Sequence, residues 1–279
     1  MSKKLKPTKG HEIGKIQDLR QLLDRAAEKY GDKIAFEYKK DATDKNSEII
    51  VKTFNQFKKD AKKLSTIFLN MGLEGKRVAV IGNNSYSWCV TYMAVVSGDM
   101  VIVPLDKALP DTEIKSLIKR SKADAVVFDK KYVDVFEKIR KENKSNLQYY
   151  ICMDDIESAN VIKYSELMQK GEELVNNEDN RYDSIKIDNK KMSIMLFTSG
   201  TTAAAKAVML SQYNVCSNIN AMPYFVSMYD TDVLLSFLPI HHTFECTITF
   251  LYGCLYCGAT VAFCDGLRYV VDNLKDYGI

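Results

Sequence analysis

Residues 197–211 read FTSGTTAAAKAVMLS, which gathers four hydroxyl side chains, Thr198, Ser199, Thr201 and Thr202, around Gly200 and sets Lys206 four positions beyond the last of them. Backbone N–H groups in such a turn can converge on an anion. Hydroxyls add further donors, and a lysine supplies a compact positive charge to oppose phosphoryl oxygens. The chemistry favoured is the grip of a polyphosphate; a polar surface hairpin made of turn-forming residues has the same composition. A Walker A loop does not fit, because that arrangement needs Gly-Lys followed by Ser or Thr and a helix. Here Ala205 precedes Lys206 and a strand-like run starts at Ala207.

A second feature is His241-His242 in LPIHHTFE, two of only three histidines in the chain. The pair reads either as a functional imidazole or as a satisfied structural pair at a strand-to-helix turn. Phe244 follows, an aromatic at helical spacing that reads as core. Cys254 and Cys257 form a CxxC pair inside an apolar stretch, with no second pair at zinc-site spacing. They read as buried small hydrophobes, and no metal-ligating set is expected.

The elements that must hold these residues follow from apolar periodicity. From Phe54 onward, strand-like and helix-like segments alternate, which is the pattern of parallel βαβ units and an α/β class. Phe57, Ala61, Leu64, Phe68 and Met71 recur at helical spacing, and Gly72 closes that helix. Strands are expected at 77–81, 100–103, 125–128 and 148–153. Helices are expected over 88–96, from Asp111 as N-cap, and over 133–139. Periodicity then fades into a charged, Asn-rich stretch at 171–191. Beyond it, strands at 193–197 and 207–210 flank the polar loop, and Ser211 caps a helix. A strand at 233–238, a helix over 244–256, a strand at 259–263 and a helix over 267–274 complete the reading.

Composition narrows the function classes. With 279 residues, 46% hydrophobic and 27% charged, the chain has the balance of a soluble globular protein. A formal net charge of +3, with lysines scattered among nearly as many acids, leaves no footprint for nucleic acid. The basic first ten residues are followed by no apolar core of a signal peptide. The apolar stretch 247–264 is interrupted by Gly253 and Gly258 and reads as a buried helix and strand rather than a membrane span, with peripheral membrane contact left open. Seven cysteines, an odd count without an export signal, fit reduced thiols and a cytoplasmic location.

The loop resembles the Thr-Ser-Gly-Thr-Thr-Gly-x-Pro-Lys-Gly signature of the adenylate-forming superfamily, which includes acyl-CoA synthetases, peptide-synthetase adenylation domains and beetle luciferases. Further segments agree in order: Thr53-Phe54 resembles that family's Thr-Tyr motif, VVSGDMVIVPLD its Gly-x-x-x-Val-Pro-Leu-Asp stretch, and LPIHHTFE its Leu-Pro-x-x-His motif. KAVMLSQYNV and the paired histidines are most similar to bacterial long-chain fatty-acid–CoA ligases. The resemblance spans about residues 18–279 and corresponds to the first half of a full-length member.

What the resemblance implies is an ATP-dependent ligase. A fatty-acid carboxylate is activated as an acyl-adenylate, pyrophosphate leaves, and coenzyme A captures the acyl group with release of AMP. Thr198, Ser199, Gly200, Thr201 and Thr202 then match the residues around the β- and γ-phosphates, and Lys206 matches the loop lysine. His242 matches the histidine beside the acyl-adenylate, Phe244 the acyl pocket, and Asn84 and Trp88 a structural feature. Magnesium ligands are expected mainly beyond residue 279, together with the remainder of the chain, and the isolated segment is expected to be inactive. The expected organisation is a flexible tail 1–17, an α/β subdomain 18–170, a linker 171–191 and an incomplete phosphate-loop and acyl-site segment 192–279. Activation of an amino or aryl acid for a carrier protein, and a noncatalytic nucleotide-binding or interaction module, are the alternatives. One departure stands out: Ala203, Ala204, Ala205 and Ala207 replace Gly-x-Pro and the final Gly. If the backbone at 203 or 207 needs a positive φ, alanine there costs on the order of 1 kcal/mol.

Overall fold

The computed structural model describes residues 14–198 and 205–279. In chain order come α1 (Leu19–Tyr30), β1 (Ile34–Lys39), β2 (Ile49–Thr53), α2 (Phe54–Asn70), β3 (Arg77–Ile81), α3 (Tyr86–Ser97), β4 (Val101–Pro104), α4 (Asp111–Ser121) and β5 (Ala125–Phe128). Then follow α5 (Val133–Glu142), β6 (Tyr149–Cys152), β7 (Ile162–Lys163), α6 (Tyr164–Asn176), α7 (Arg181–Ser184), β8 (Met192–Phe197), β9 (Ala207–Ser211) and α8 (Gln212–Ala221). The described chain ends with β10 (Val233–Ser236), α9 (Thr243–Glu245), a π-helix (Cys246–Tyr256), β11 (Thr260–Phe263) and α10 (Val270–Asp276). The chain divides into two compact units, one of residues 59–212 and one of residues 1–58 with 213–279.

The 59–212 unit is built on a seven-stranded sheet of order β7-β6-β5-β3-β4-β8-β9. Every pair is parallel except β8 with β9. β4 and β5 are buried along their whole length, which is why they read as unbroken apolar runs rather than alternating ones. α3 is buried all round, with Trp88 fully enclosed and stacked on Tyr92 at 5.5 Å, so it lacks an amphipathic stripe. α4 and α5 contribute Ile114, Leu117, Ile118, Phe136 and Ile139 to the core beneath the sheet. At Gly171 on α6, a Cβ would lie 2.3 Å from the carbonyl oxygen of Lys63, so only glycine permits that approach.

The other unit holds a four-stranded sheet of order β10-β11-β1-β2, in which β1 pairs parallel with β11 and antiparallel with β2. Its centre is aromatic. Phe36 lies 4.8 Å from Phe57 and 5.8 Å, nearly coplanar, from Phe263. The π-helix closes against this core through Phe250. Gly258 ends it at φ +84°, with the Tyr30 ring where a Cβ would stand.

Several boundaries differ from the sequence expectation. Asp111 is the first helical residue of α4 rather than its cap; Pro110 occupies the cap position without a side-chain bond, and Asp111 acts through its charge on the helix dipole. Residues 171–191 are not a bare connection, since α6 runs through them to Asn176 and α7 lies within them. Residues on both sides of that stretch belong to the same unit, so the compact units are not divided there, and one of them joins both ends of the sequence. α1, β1 and β2 precede the point from which alternation was legible.

Candidate functional site

Because β8 runs parallel to β4, it ends at the same sheet edge as β3, β5 and β6. The carboxyl edge of an open parallel sheet is where such folds bind ligands. Thr198 follows the last residue of β8 directly, and Lys206 precedes the first residue of β9. The antiparallel register sets Phe197 opposite Ala207, which leaves 198–206 as the hairpin loop. Its stem is closed by the Thr198 N–H donating to the Lys206 carbonyl at 3.0 Å. The Thr198 hydroxyl accepts from the Lys206 N–H at 3.3 Å and lies 3.4 Å from the Lys206 carbonyl oxygen. Both residues are exposed, so the lysine charge is free to meet a ligand from solvent. Ser199, Gly200, Thr201 and Thr202 lie outside the described residues.

The stem has a further support that the sequence did not reveal. Arg120, in the last turn of α4, donates from its guanidinium to the carbonyl oxygen of Ala205. The same guanidinium lies 5.5 Å from the centroid of the Phe197 ring, within reach of cation–π attraction. Phe197 and Ala205 both pack against the core cluster that α4 helps to build.

Elsewhere along that carboxyl edge, Asp129 accepts the Asn83 N–H at 2.7 Å, which ties the end of β5 to the end of β3. Burial pushes its carboxyl up to about 6, with Asp154 adding to the shift and the Asn83 bond, Lys131 and Lys107 opposing it. Lys107 reaches across to Asn83 Oδ1 at 3.1 Å.

His242 and Phe244 belong to the other unit. His242 is the N-cap of α9, where its Nδ1 accepts the Phe244 N–H at 3.2 Å. An accepting Nδ1 places the proton of the neutral ring on Nε2, which is then the donor left for a ligand. The ring is exposed, and Phe244 is 57% exposed, so both are accessible as ligand contacts rather than packed as core. Glu245, which sequence reasoning passed over although it ends LPIHHTFE, is buried. Its carboxylate accepts from Ser236 Oγ at 2.7 Å and Thr249 Oγ1 at 3.0 Å, tying α9 to the end of β10. Burial raises its pKa and the two hydroxyls oppose the rise. All seven cysteines are free thiols. Burial pushes Cys257 up to about 12 and Cys254 upward as well, which disfavours reactive thiolates at the CxxC pair. No helix among the described residues is long and apolar enough to cross a membrane.

Comparison with known proteins places the chain among relatives of one family. The chain is 29% identical over 248 residues to long-chain-fatty-acid–CoA ligase 5 of Mus musculus, which covers 80% of this chain and 34% of that protein. It is 25% identical over 269 residues to a chloroplastic long-chain-fatty-acid–[acyl-carrier-protein] ligase of Arabidopsis thaliana, covering 90% of this chain and 36% of the relative. The chain thus spans about a third of the length of these relatives. The crystal structure of a long-chain-fatty-acid–CoA ligase from Archaeoglobus fulgidus superposes with a TM-score of 0.78 at 19% identity, over 99% of this chain and 53% of that one, and shares its fold. Residues 23–279 match the family described as AMP-binding enzyme, and the chain belongs to that family.

Proposed function

We propose that these residues form the phosphate-gripping and acyl-site portion of an ATP-dependent acyl-CoA ligase acting on a long-chain fatty acid. The observation that carries the reading is the clasped Thr198–Lys206 stem at the carboxyl end of a parallel strand, in a chain of the AMP-binding family. Thr198 to Thr202 hold the β- and γ-phosphates, and Lys206 sets its charge against them. A carboxylate oxygen of the acid attacks the α-phosphorus, the bond from that phosphorus to the pyrophosphate oxygen breaks, and pyrophosphate leaves. The thiolate of coenzyme A then attacks the acyl carbon and AMP departs. Fixing the phosphates and opposing their charge accounts for most of what a protein contributes to the first step. His242 offers Nε2–H to the acyl-adenylate, and Phe244 offers an apolar surface to the chain of the acid.

Among the described residues no group of three or more His, Cys, Asp or Glu side chains is arranged to hold a metal ion. Magnesium would offset charge on the phosphates of the nucleotide, with its protein ligands mainly beyond residue 279. A carrier-protein thiol in place of coenzyme A is a second reading of the acceptor, favoured by the likeness to the Arabidopsis ligase.

The test is ATP–pyrophosphate exchange, measured on the 279-residue chain and on the longest polypeptide its gene encodes, with fatty, aryl and amino acids in turn. Exchange that depends on a long-chain fatty acid in a longer polypeptide, with none in the 279-residue chain, is the expected result. Exchange driven only by amino or aryl acids would sink the substrate assignment.

A further inference from the structure

We infer that Arg120 is a positioning residue for the phosphate-gripping loop, holding the descending stem so that Lys206 is presented in one place; this rests on the phosphate reading of that loop. The helix that carries it is fixed, since Ile114, Leu117 and Ile118 of α4 are fully or almost fully buried in the core. From that base the guanidinium makes two contacts on the hairpin, a hydrogen bond to the Ala205 carbonyl and an approach to 5.5 Å from the centroid of the Phe197 ring. One contact lies on each strand side of the loop. A planar fork can donate in its plane and offer its face to a ring at once, which an ammonium cannot.

The residue it holds is the one immediately before Lys206. The loop signature this sequence resembles carries proline at that position, where a pyrrolidine ring would fix φ near −65°. Alanine fixes nothing, and a charged donor on its carbonyl supplies a restraint from outside the loop. With Thr198 clasping Lys206 from the other strand, the backbone on either side of the lysine is tied down. The expected consequence is a pre-organised cation, which spares a polyphosphate ligand the ordering of the stem.

Two measurements on the 279-residue chain test this. Hydrogen–deuterium exchange reads the amides of Thr198 and Lys206, and calorimetric titration with inorganic tripolyphosphate reads the loop's affinity. Arg120→Ala is expected to speed exchange at these two amides and to weaken tripolyphosphate about tenfold, the scale of one lost charge-assisted hydrogen bond. Arg120→Lys should recover part of both effects, because it keeps a donor and loses the guanidinium's approach to the Phe197 ring. The inference is overturned by unchanged exchange at Thr198 and Lys206 in Arg120→Ala, or by faster exchange throughout β3, β4 and β5, which would mark a general structural role. Unchanged tripolyphosphate affinity in Arg120→Ala overturns it as well. A wild-type chain that binds no tripolyphosphate overturns the phosphate reading instead, and the exchange result still decides whether Arg120 clamps the stem.

Discussion

The His242 ring caps a helix and also offers a donor, and the two roles can be separated. Asparagine is among the best N-cap residues, so His242→Asn should stay within about 1 kcal/mol of wild type in chemical denaturation. The same variant, made in whichever polypeptide supports ATP–pyrophosphate exchange, should lose most of that exchange; full retention would remove His242 from the chemistry. Glu245 is a structural counterpart. Glu245→Ala strands the hydroxyls of Ser236 and Thr249 in a buried place and should cost about 2–3 kcal/mol, whereas Glu245→Gln keeps an acceptor and should cost less. Equal losses for the two variants would show that the hydrogen bonds contribute little. Thr198, Lys206 and His242 stand out in the sequence as candidates because their types sit in short local patterns. Arg120 does not, since its partner Ala205 is 85 residues away and nothing in the α4 pattern points toward it.

Elements were legible where burial makes sequence monotonous. β5 and β3 fall where apolar runs place them, because strands covered on both faces have no polar position to blur their ends. The helix expected over 244–256 is instead a short α turn leading into a π-helix, with Cys257 bonded back to Tyr252 at 2.8 Å. Its residues are apolar on most sides, so no periodicity could distinguish one helical repeat from another. β1 and β2 escaped because β2 alternates weakly and is at most half-buried. The carboxyl edge of the larger sheet carries a pH signature. Asp129 has a folded pKa of about 6, above its ordinary value, so the folded state holds that proton more tightly than the unfolded chain does. Its contribution to stability is complete below the unfolded pKa and disappears as pH rises through the folded one. Between about pH 4 and about pH 7, wild type should lose up to about 3 kcal/mol relative to Asp129→Asn. Parallel pH curves for the two proteins in urea denaturation would contradict the assignment.

At the scale of the molecule, the sequence expectation of a break near 171–191 met a different division. The 59–212 unit is continuous in sequence, whereas its companion is assembled from both ends of the chain. No local pattern announces such an arrangement, because it depends on β11 pairing with β1 across more than two hundred residues. Continuity makes one consequence testable. Residues 59–212 include all seven strands of the larger sheet, α4 with Arg120, and both strands of the Thr198–Lys206 hairpin. They also carry a buried cluster running from Ala79 to Met195. A stretch of that length, with its own core, is of ordinary size for an independent domain. Expressed alone, it should unfold in a single cooperative step and bind tripolyphosphate with nearly the affinity of the 279-residue chain. Loss of cooperative unfolding would show that the first 58 residues or 213–279 are needed to complete its core. Cooperative unfolding with lost affinity would show that the Thr198–Lys206 stem is not sufficient for binding.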